Sequence, residues 1–286
     1  MTEPLFIAEV SSNHHRDLSR CFAFIDQAAA IGCDAVKFQL FRVDQLFAPQ
    51  ILAQSKAHRN RAEWELPISF LPKLADHCRK RAIAFCCTPF DQEAVALLEP
   101  HVSFFKIASY ELLWHPLLQA VAQTGKAVVL STGMANLDEV QSAAQVLQAA
   151  GCCEVTLLHC SSAYPTPPEM ANLAAIETLR QATHCAVGWS DHTRQPAVLY
   201  RALFRWGATV IEFHLDLDGE GEEYAAGHCW LPDQIEPVIA ASRLGLQADG
   251  SPIKQANPAE FPDRDWRADP DDGLRPLKHI RDSWKP

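Results

Sequence analysis

The chain lacks most of the features that would mark a membrane-spanning, secreted or nucleic-acid-binding protein. It has no apolar stretch long enough to cross a membrane. Its opening residues, MTEPLFIAEV, show neither a basic n-region nor an apolar h-region, so no signal peptide and a cytoplasmic location are expected. Basic residues are in the minority: 25 Lys and Arg stand against 35 Asp and Glu, a formal net charge of −10. A duplex-binding protein needs a basic stripe, and none is present, so nucleic acid is not an expected partner. A small phosphate-bearing substrate held by local Lys and Arg remains compatible with that charge. There are ten cysteines but no paired C-x-x-C set with zinc spacing. Several lie in strand-like runs (Cys86, Cys87, Cys160, Cys185), which reads as buried, reduced thiols. A catalytic Cys is the other reading, although none stands beside an obvious base. Repeats and low-complexity segments are also missing.

What is present is alternation. Eight short apolar runs read as strands: 5–10, 34–40, 83–89, 103–109, 127–132, 155–161, 185–190 and 208–214. Amphipathic stretches lie between them, and several end at a glycine, a usual helix C-cap (Gly32, Gly125, Gly151, Gly207). Eight β-then-α units predict an α/β fold, a (β/α)8 TIM barrel over 1–248; a doubly wound sheet is the alternative. Residues 41–66 form a long insertion after the second strand, and such insertions are commonly functional or disordered. From about 249 to 286 the pattern loses its period. That stretch carries Trp266 and Trp284, which points to a C-terminal extension packed on the barrel rather than a disordered tail.

In barrel enzymes the chemistry sits at the C-terminal ends of the strands. Here those ends carry, in order, Glu9; Lys37 and Gln39; Thr88; Lys106, Ser109 and Glu111; Ser131 and Thr132; His159, Ser161, Ser162 and Tyr164; Ser190, Asp191 and His192; Glu212 and His214. Polar residues often end strands, but all eight ends do so here. Lys37 and Lys106 lie inside apolar runs, and a buried Lys is costly unless it meets an anion. With Thr88, Ser109, Ser131 and Ser190 they suggest a pocket for phosphate and carboxylate. Pairing with Glu9 or Glu111, or a Schiff-base lysine, are the alternatives. His192 and His214 end neighbouring strands and could share one divalent ion. Two imidazoles with room for oxygen ligands suit a Lewis acid such as Mn²⁺ or Mg²⁺ better than a closed structural zinc site. His14, His15 and His159 compete for that role.

The stretches IAEVSSNHHRDL, GCDAVKFQLF, CCTPFD, FFKIASYELLWHPLL, TGKAVVLSTGMANLDEV, LLHCSSAYPTPPEMANLAAI, VGWSDHT and ATVIEFHL run from residue 6 to about 217. Together they make the chain resemble the sialic acid synthase (N-acetylneuraminate synthase) family, which condenses phosphoenolpyruvate with a sugar aldehyde to give a 2-keto-3-deoxy sugar acid and phosphate. The resemblance implies that Lys37, Thr88, Lys106, Ser109, Ser131, Ser162 and Ser190 surround phosphoenolpyruvate. It implies that His192 and His214 bind the metal, that Glu9 is the acid/base group, and that Glu111 and Tyr164 touch the sugar. Asp191 is then expected to orient the turn or the imidazole. A homodimer is also implied. The family usually adds a C-terminal antifreeze-like domain that gives an Arg to the sugar, and with 286 residues none is expected here. Arg267 or Arg275 of the extension is the expected substitute. Other departures are Arg16 where Gly is usual, Ser162 where Asn is common, and DGEGEEYAAG where the family has a G-P-D turn. Two competing functions are a Schiff-base aldolase using Lys37 or Lys106 and a non-catalytic sugar-binding relative.

Overall fold

A computed structural model describes residues 3–285. The chain divides between Leu244 and Gly245 into two compact units. The first unit contains eight parallel strands paired in sequence order: β1 (Leu5–Glu9), β2 (Ala35–Leu40), β3 (Ala84–Pro89), β4 (Phe104–Ile107), β5 (Val128–Ser131), β6 (Val155–Cys160), β7 (Ala186–Asp191) and β8 (Val210–Leu215). Pairing of β1 with β8 closes the sheet, so the fold is the (β/α)8 barrel and not the open doubly wound sheet. A ninth strand, β9 (Cys229–Trp230), pairs with the outer side of β8 and sets Cys229 opposite His214. Two residues are too few to show a period, so this strand has no sequence signature.

The helices form where caps and spacing direct them. In Leu18–Ala30, Cys21, Phe24, Ile25 and Ala28 are buried at helical spacing. The Asp17 carboxylate caps its first turn, accepting from Ser19 N at 2.8 Å. Asn136 and Glu139 close a capping box on Leu137–Ala149. Gly32 stops the first helix at a φ of +86°, where an L side chain would be strained.

Side chains alternate along a strand, so positions two apart share a face. Ile7, Ala35, Val129, Leu158 and Val210 pack together inside the barrel as an apolar plug. The inward positions two residues further on are Glu9, Lys37, Ser131, Cys160 and Glu212. The plug is therefore the floor on which the polar strand ends stand. β7 has Gly188 at this level because a Cβ there would come within 2.3 Å of the Val210 carbonyl oxygen.

The insertion after β2 is ordered as the short helices Val43–Leu46, Pro49–Gln54 and Lys56–Asn60 and the 3-10 turn Arg61–Trp64. Arg16 sits at a φ of +55°, the left-handed region that glycine favours. Its guanidinium donates to the Ala62 carbonyl oxygen at 2.7 Å and ties the loop after β1 to this insertion. The second unit has only the short turns Pro258–Glu260, Phe261–Arg264 and Lys278–Arg281 among its described residues. The Asp269 carboxylate organises it by accepting from the backbone N–H groups of Asp271 and Lys278. The helix Pro232–Asp249 runs across the division between the two units.

Candidate active site

A cavity of about 860 Å³ opens at the C-terminal ends of the strands. Glu9, Lys37, Lys106, Ser109, Glu111, Ser131, Tyr164, Ser190, His192 and His214 all line it, together with Gln39 and Glu212. These strand-end residues therefore meet in one place, whereas Thr88 and Ser162, expected with them, are not part of its lining and lie behind it against Lys37 and Gly133. Phe41, Leu46, Phe47, Arg61 and Trp64 of the insertion form part of its wall.

The lysines are buried and paired. Lys37 Nζ lies 2.9 Å from Glu9 Oε2 and 3.9 Å from Glu212 Oε2, and it donates to Thr88 Oγ1 at 3.5 Å. Lys106 Nζ lies 3.4 Å from Glu212 Oε1, which also accepts from Ser190 Oγ at 3.1 Å. Burial pushes the Lys37 ammonium toward neutrality, but the Glu212 and Glu9 carboxylates outweigh it and its pKa lies above the usual range. Among the described residues, Lys106 makes an ion pair with Glu212 alone. Burial, with repulsion from Lys37, leaves its pKa below the usual value. Burial also opposes charge on Glu212, yet Lys106 and Lys37 hold its carboxyl below the ordinary range. Glu212 is the residue that residue-by-residue reading missed. Within V-I-E-F-H it reads as one more strand-end carboxylate, and only barrel closure brings it to both lysines.

Beside Lys106 lies a cradle of small groups. Gly133 N donates to Ser109 Oγ at 2.9 Å, and Ser109 Oγ is 3.3 Å from Cys160 Sγ. A Cβ on Gly133 would come within 2.2 Å of Ser162 Oγ. Ser162 Oγ is buried with no hydrogen-bond partner. A buried hydroxyl left unpaired is costly and calls for a ligand. Glu111 is also buried, with Oε2 unpartnered. Its burial, only partly offset by Lys106, raises its pKa to about 7.

The histidines line the same cavity, His192 just beyond the end of β7 and His214 two residues after Glu212 on the same face of β8. His192 Nδ1 pairs with the Ser161 carbonyl oxygen at 2.8 Å, which leaves Nε2 as the free donor. Burial, reinforced by His214, lowers its pKa to about 3, so the ring is neutral, the form that ligates metal. The His192 and His214 ring centroids are 5.4 Å apart, and Tyr164 packs on His192 at 4.2 Å. His214 Nδ1 meets Glu223 Oε2 at 2.8 Å. Burial works against charge on His214, but its bonds to Cys229 and Glu223 raise its pKa well above the usual value. His214, Glu223, His228 and Cys229 each bring one donor atom, all within 4.8 Å of one another. His228 and Cys229 carry no strand signal in the sequence, and Glu223 lies in the stretch DGEGEEYAAG.

Asp191 serves the turn. It is fully buried and accepts from Trp189 Nε1, Thr193 N and Oγ1, Arg194 N and Trp230 Nε1. None of these donors is the His192 imidazole, so Asp191 fixes the backbone on either side of that residue. Of the competing histidines, His159 Nε2 pairs with the Ala171 carbonyl oxygen, and His14 Nδ1 accepts from Arg16 N. Arg267 and Arg275 belong to the second unit, where Arg267 Nε donates to the Arg264 carbonyl oxygen at 2.6 Å.

The chain is 38% identical over 264 residues to an uncharacterized protein of Methanocaldococcus jannaschii, covering 90% of this chain and 76% of that one. It is 36% identical over 275 residues to the N,N'-diacetyllegionaminic acid synthase of Campylobacter jejuni, covering 91% of this chain and 81% of that protein. Among solved structures, the N-acetylneuraminic acid (sialic acid) synthetase of Leptospira borgpetersenii in complex with citrate superposes with a TM-score of 0.81. It is 28% identical, with 92% of this chain and 90% of that one covered. The NeuB family matches residues 24–254, most of the barrel unit. By this match, and by its likeness to named synthases over nine-tenths of its length, the chain belongs to the NeuB family of enzymes that make sialic-acid-type sugars.

Proposed function

We propose that the protein condenses phosphoenolpyruvate with a sugar aldehyde, giving a sialic-acid-like 2-keto-3-deoxy sugar acid and phosphate. The observation that carries this reading is the pairing of two buried lysines with a cradle whose Ser162 hydroxyl has no partner. An anion with both carboxylate and phosphate would satisfy these groups. Lys37, Thr88 and Ser190 would hold one end, and Lys106, Ser109, Ser131 and Ser162 the other. The methylene carbon of phosphoenolpyruvate attacks the aldehyde carbon and forms the new C–C bond. Water then adds to the cationic carbon left behind, and the C–O bond to phosphate breaks. Of the two water protons, one ends on the new hydroxyl and one on the departing phosphate. Glu9, fixed by Lys37 and Gln39, is placed to take the first of them. Glu111 and Tyr164 would contact the sugar.

The neutral His192 ring, with Nε2 free, and the donors gathered at His214 fit a divalent ion. When bound, it supplies a Lewis acid for the aldehyde oxygen. His192 and His214 would hold it, with the Ser161 carbonyl oxygen orienting the His192 ring.

The test is phosphate release from phosphoenolpyruvate with Mn²⁺ present, across a panel of N-acetylated amino-sugars and simple aldoses. Acceptor-dependent release is expected. No release with any member would remove the reading. A Schiff-base aldolase at Lys106 is the second reading, favoured by the lowered pKa of that lysine. Borohydride in the presence of a keto substrate would then tag Lys106 irreversibly, whereas the condensation leaves it unmodified.

A further inference from the structure

The segment between β8 and β9 is built as a rigid arch over His214. Asp216, fully buried, accepts from Leu217 N at 2.8 Å, from Gly221 N at 3.1 Å and from Arg20 Nη2 at 3.2 Å. A Cβ on Gly221 would approach Asp216 Oδ2 to 2.9 Å and Asn13 Oδ1 to 3.0 Å, so the arch is closed tightly here. Asn13 Nδ2 donates to the Leu215 carbonyl oxygen at 3.2 Å, and Ser12 Oγ to Glu223 Oε1 at 3.0 Å. These bonds deliver the Glu223 carboxylate to His214, and β9 then returns His228 and Cys229 to the same place.

The result is a set of ligand-type groups with incomplete internal pairing. Glu223 Oε2 is 2.8 Å from His214 Nδ1, 3.5 Å from His228 Nε2 and 3.7 Å from Cys229 Sγ. His228 is only 6% exposed, and its Nδ1 has no partner. Ring spacing points the same way. Two imidazoles on one ion, each with its nitrogen ~2.1 Å away, have centroids roughly 4.5–5.5 Å apart. The observed separations are 5.0 Å for His214 and His228 and 5.4 Å for His192 and His214. We infer that the arch makes Glu223, His228 and Cys229 additional ligands to the ion at His214, so that the site selects a transition ion such as Zn²⁺, Fe²⁺ or Co²⁺ over Mg²⁺. The donor chemistry sets that preference. Imidazole and thiolate suit the later first-row ions, whereas Mg²⁺ demands oxygen ligands and keeps its waters. Cys229 would bind such an ion as the thiolate, its proton passing to solvent.

This inference rests on the reading of His214 as a metal ligand of the synthase, and its test is made without phosphoenolpyruvate or acceptor. The full-length protein is stripped with chelator and titrated with Co²⁺, and the visible and near-ultraviolet spectra are followed. Wild type should bind one Co²⁺ per chain and show a thiolate-to-metal charge-transfer band. Cys229→Ser should lose that band. His228→Ala and Glu223→Gln should weaken Co²⁺ binding at least about tenfold, and a hundredfold excess of Mg²⁺ should not displace the ion. Circular dichroism checks folding, with His228→Asn as the replacement should the alanine variant fail to fold. Wild-type Co²⁺ affinity and spectrum in all the loop variants, or displacement by equimolar Mg²⁺, would overturn the inference. Failure of phosphate release alone counts against the synthase reading. Unchanged metal binding in an active synthase counts against the arch alone.

Discussion

Lys106 Nζ lies 3.4 Å from Glu212 Oε1, and both residues are at least 97% buried. The carboxylate also faces Lys37, so one anion from β8 serves two cations from β2 and β4. Such a centre holds the lysines charged until a substrate anion arrives. The charges can be kept so deep only because each has a partner within the same ring of strand ends.

Glu212→Gln therefore leaves the Lys106 ammonium buried without a counter-charge. Breaking a buried pair by removing one partner costs about 3–5 kcal/mol. The variant should melt well below wild type in buffer without anions. Phosphate or phosphoenolpyruvate should raise its melting temperature by more than it raises that of wild type, because a ligand anion then replaces the missing carboxylate. Equal ligand-induced shifts in the two proteins would show that Glu212 does not occupy the place of the substrate's charge.

Glu9→Gln tests the acid/base role. The change removes ionisation from a side chain held between Lys37 and Gln39 while nearly preserving its shape. Turnover should fall by about 10²–10⁴-fold. Phosphoenolpyruvate binding, read by calorimetry, should persist. A turnover drop smaller than about threefold would assign Glu9 to structure.

Much of this site can be read from the chain, and the reason is the barrel itself. Each strand ends in a polar residue at the same level, so listing strand ends lists the wall of the cavity. Lys37 and Lys106 stand out because an ammonium inside V-K-F or F-K-I demands an anion. The partner of both is not evident in the same way. Glu212 reaches them through the closure of β8 against β1, a relation between residues more than a hundred positions from either lysine. His228 and Cys229 are hidden for another reason: the strand that begins at Cys229 has two residues and no alternation to betray it, and its place is set by the arch from Asp216. Asp191 shows the limit of reading roles from neighbours in sequence. It stands next to His192 but holds Trp189, Trp230 and the backbone instead.

Asp191→Asn should loosen that support. All five of its bonds are accepted ones, so an amide NH₂ must face at least one donor. An unsatisfied buried group costs about 1–3 kcal/mol. The melting temperature should fall, and metal binding at His192 should weaken because the turn on either side of it shifts. Wild-type stability in this variant would mean that the indole and backbone donors find other acceptors.

Glu111 makes stability depend on pH. Its pKa is raised from 4.5 to about 7 by burial, with Lys106 pulling the other way. Between these values the unfolded chain has released a proton that the folded protein keeps. Stability therefore falls as pH rises through this window and levels off above about 7. Replacement by Gln removes the titration. The unfolding free energy of wild type minus that of Glu111→Gln, measured by urea denaturation from pH 5 to 8.5, should fall steadily up to about pH 7 and then stay flat. A difference independent of pH would contradict a buried, protonated Glu111.

On the proposed function, the insertion after β2 is the part of the cavity wall expected to meet the acceptor. Trp64 and Phe47 both line the cavity, and the Arg61 guanidinium packs over each ring at 5.4 Å from the centroid. This stacking orders a flat, amphipathic surface at the mouth, and Arg16 anchors it through the Ala62 carbonyl oxygen. A sugar extended away from its aldehyde would lie against it, whereas phosphoenolpyruvate, held at the lysines on the floor, would not. Loss of one aromatic contact of this kind is worth about 1–2 kcal/mol, or about five- to thirtyfold in a binding constant. Trp64→Ala should raise the KM for the acceptor by about that factor and leave the KM for phosphoenolpyruvate within about twofold, since only the sugar loses a contact. Arg16→Ala should act in the same direction but more weakly, because it frees the insertion without removing the ring. Parallel rises in both KM values would instead mean that the insertion closes the whole cavity, and that the acceptor is recognised elsewhere.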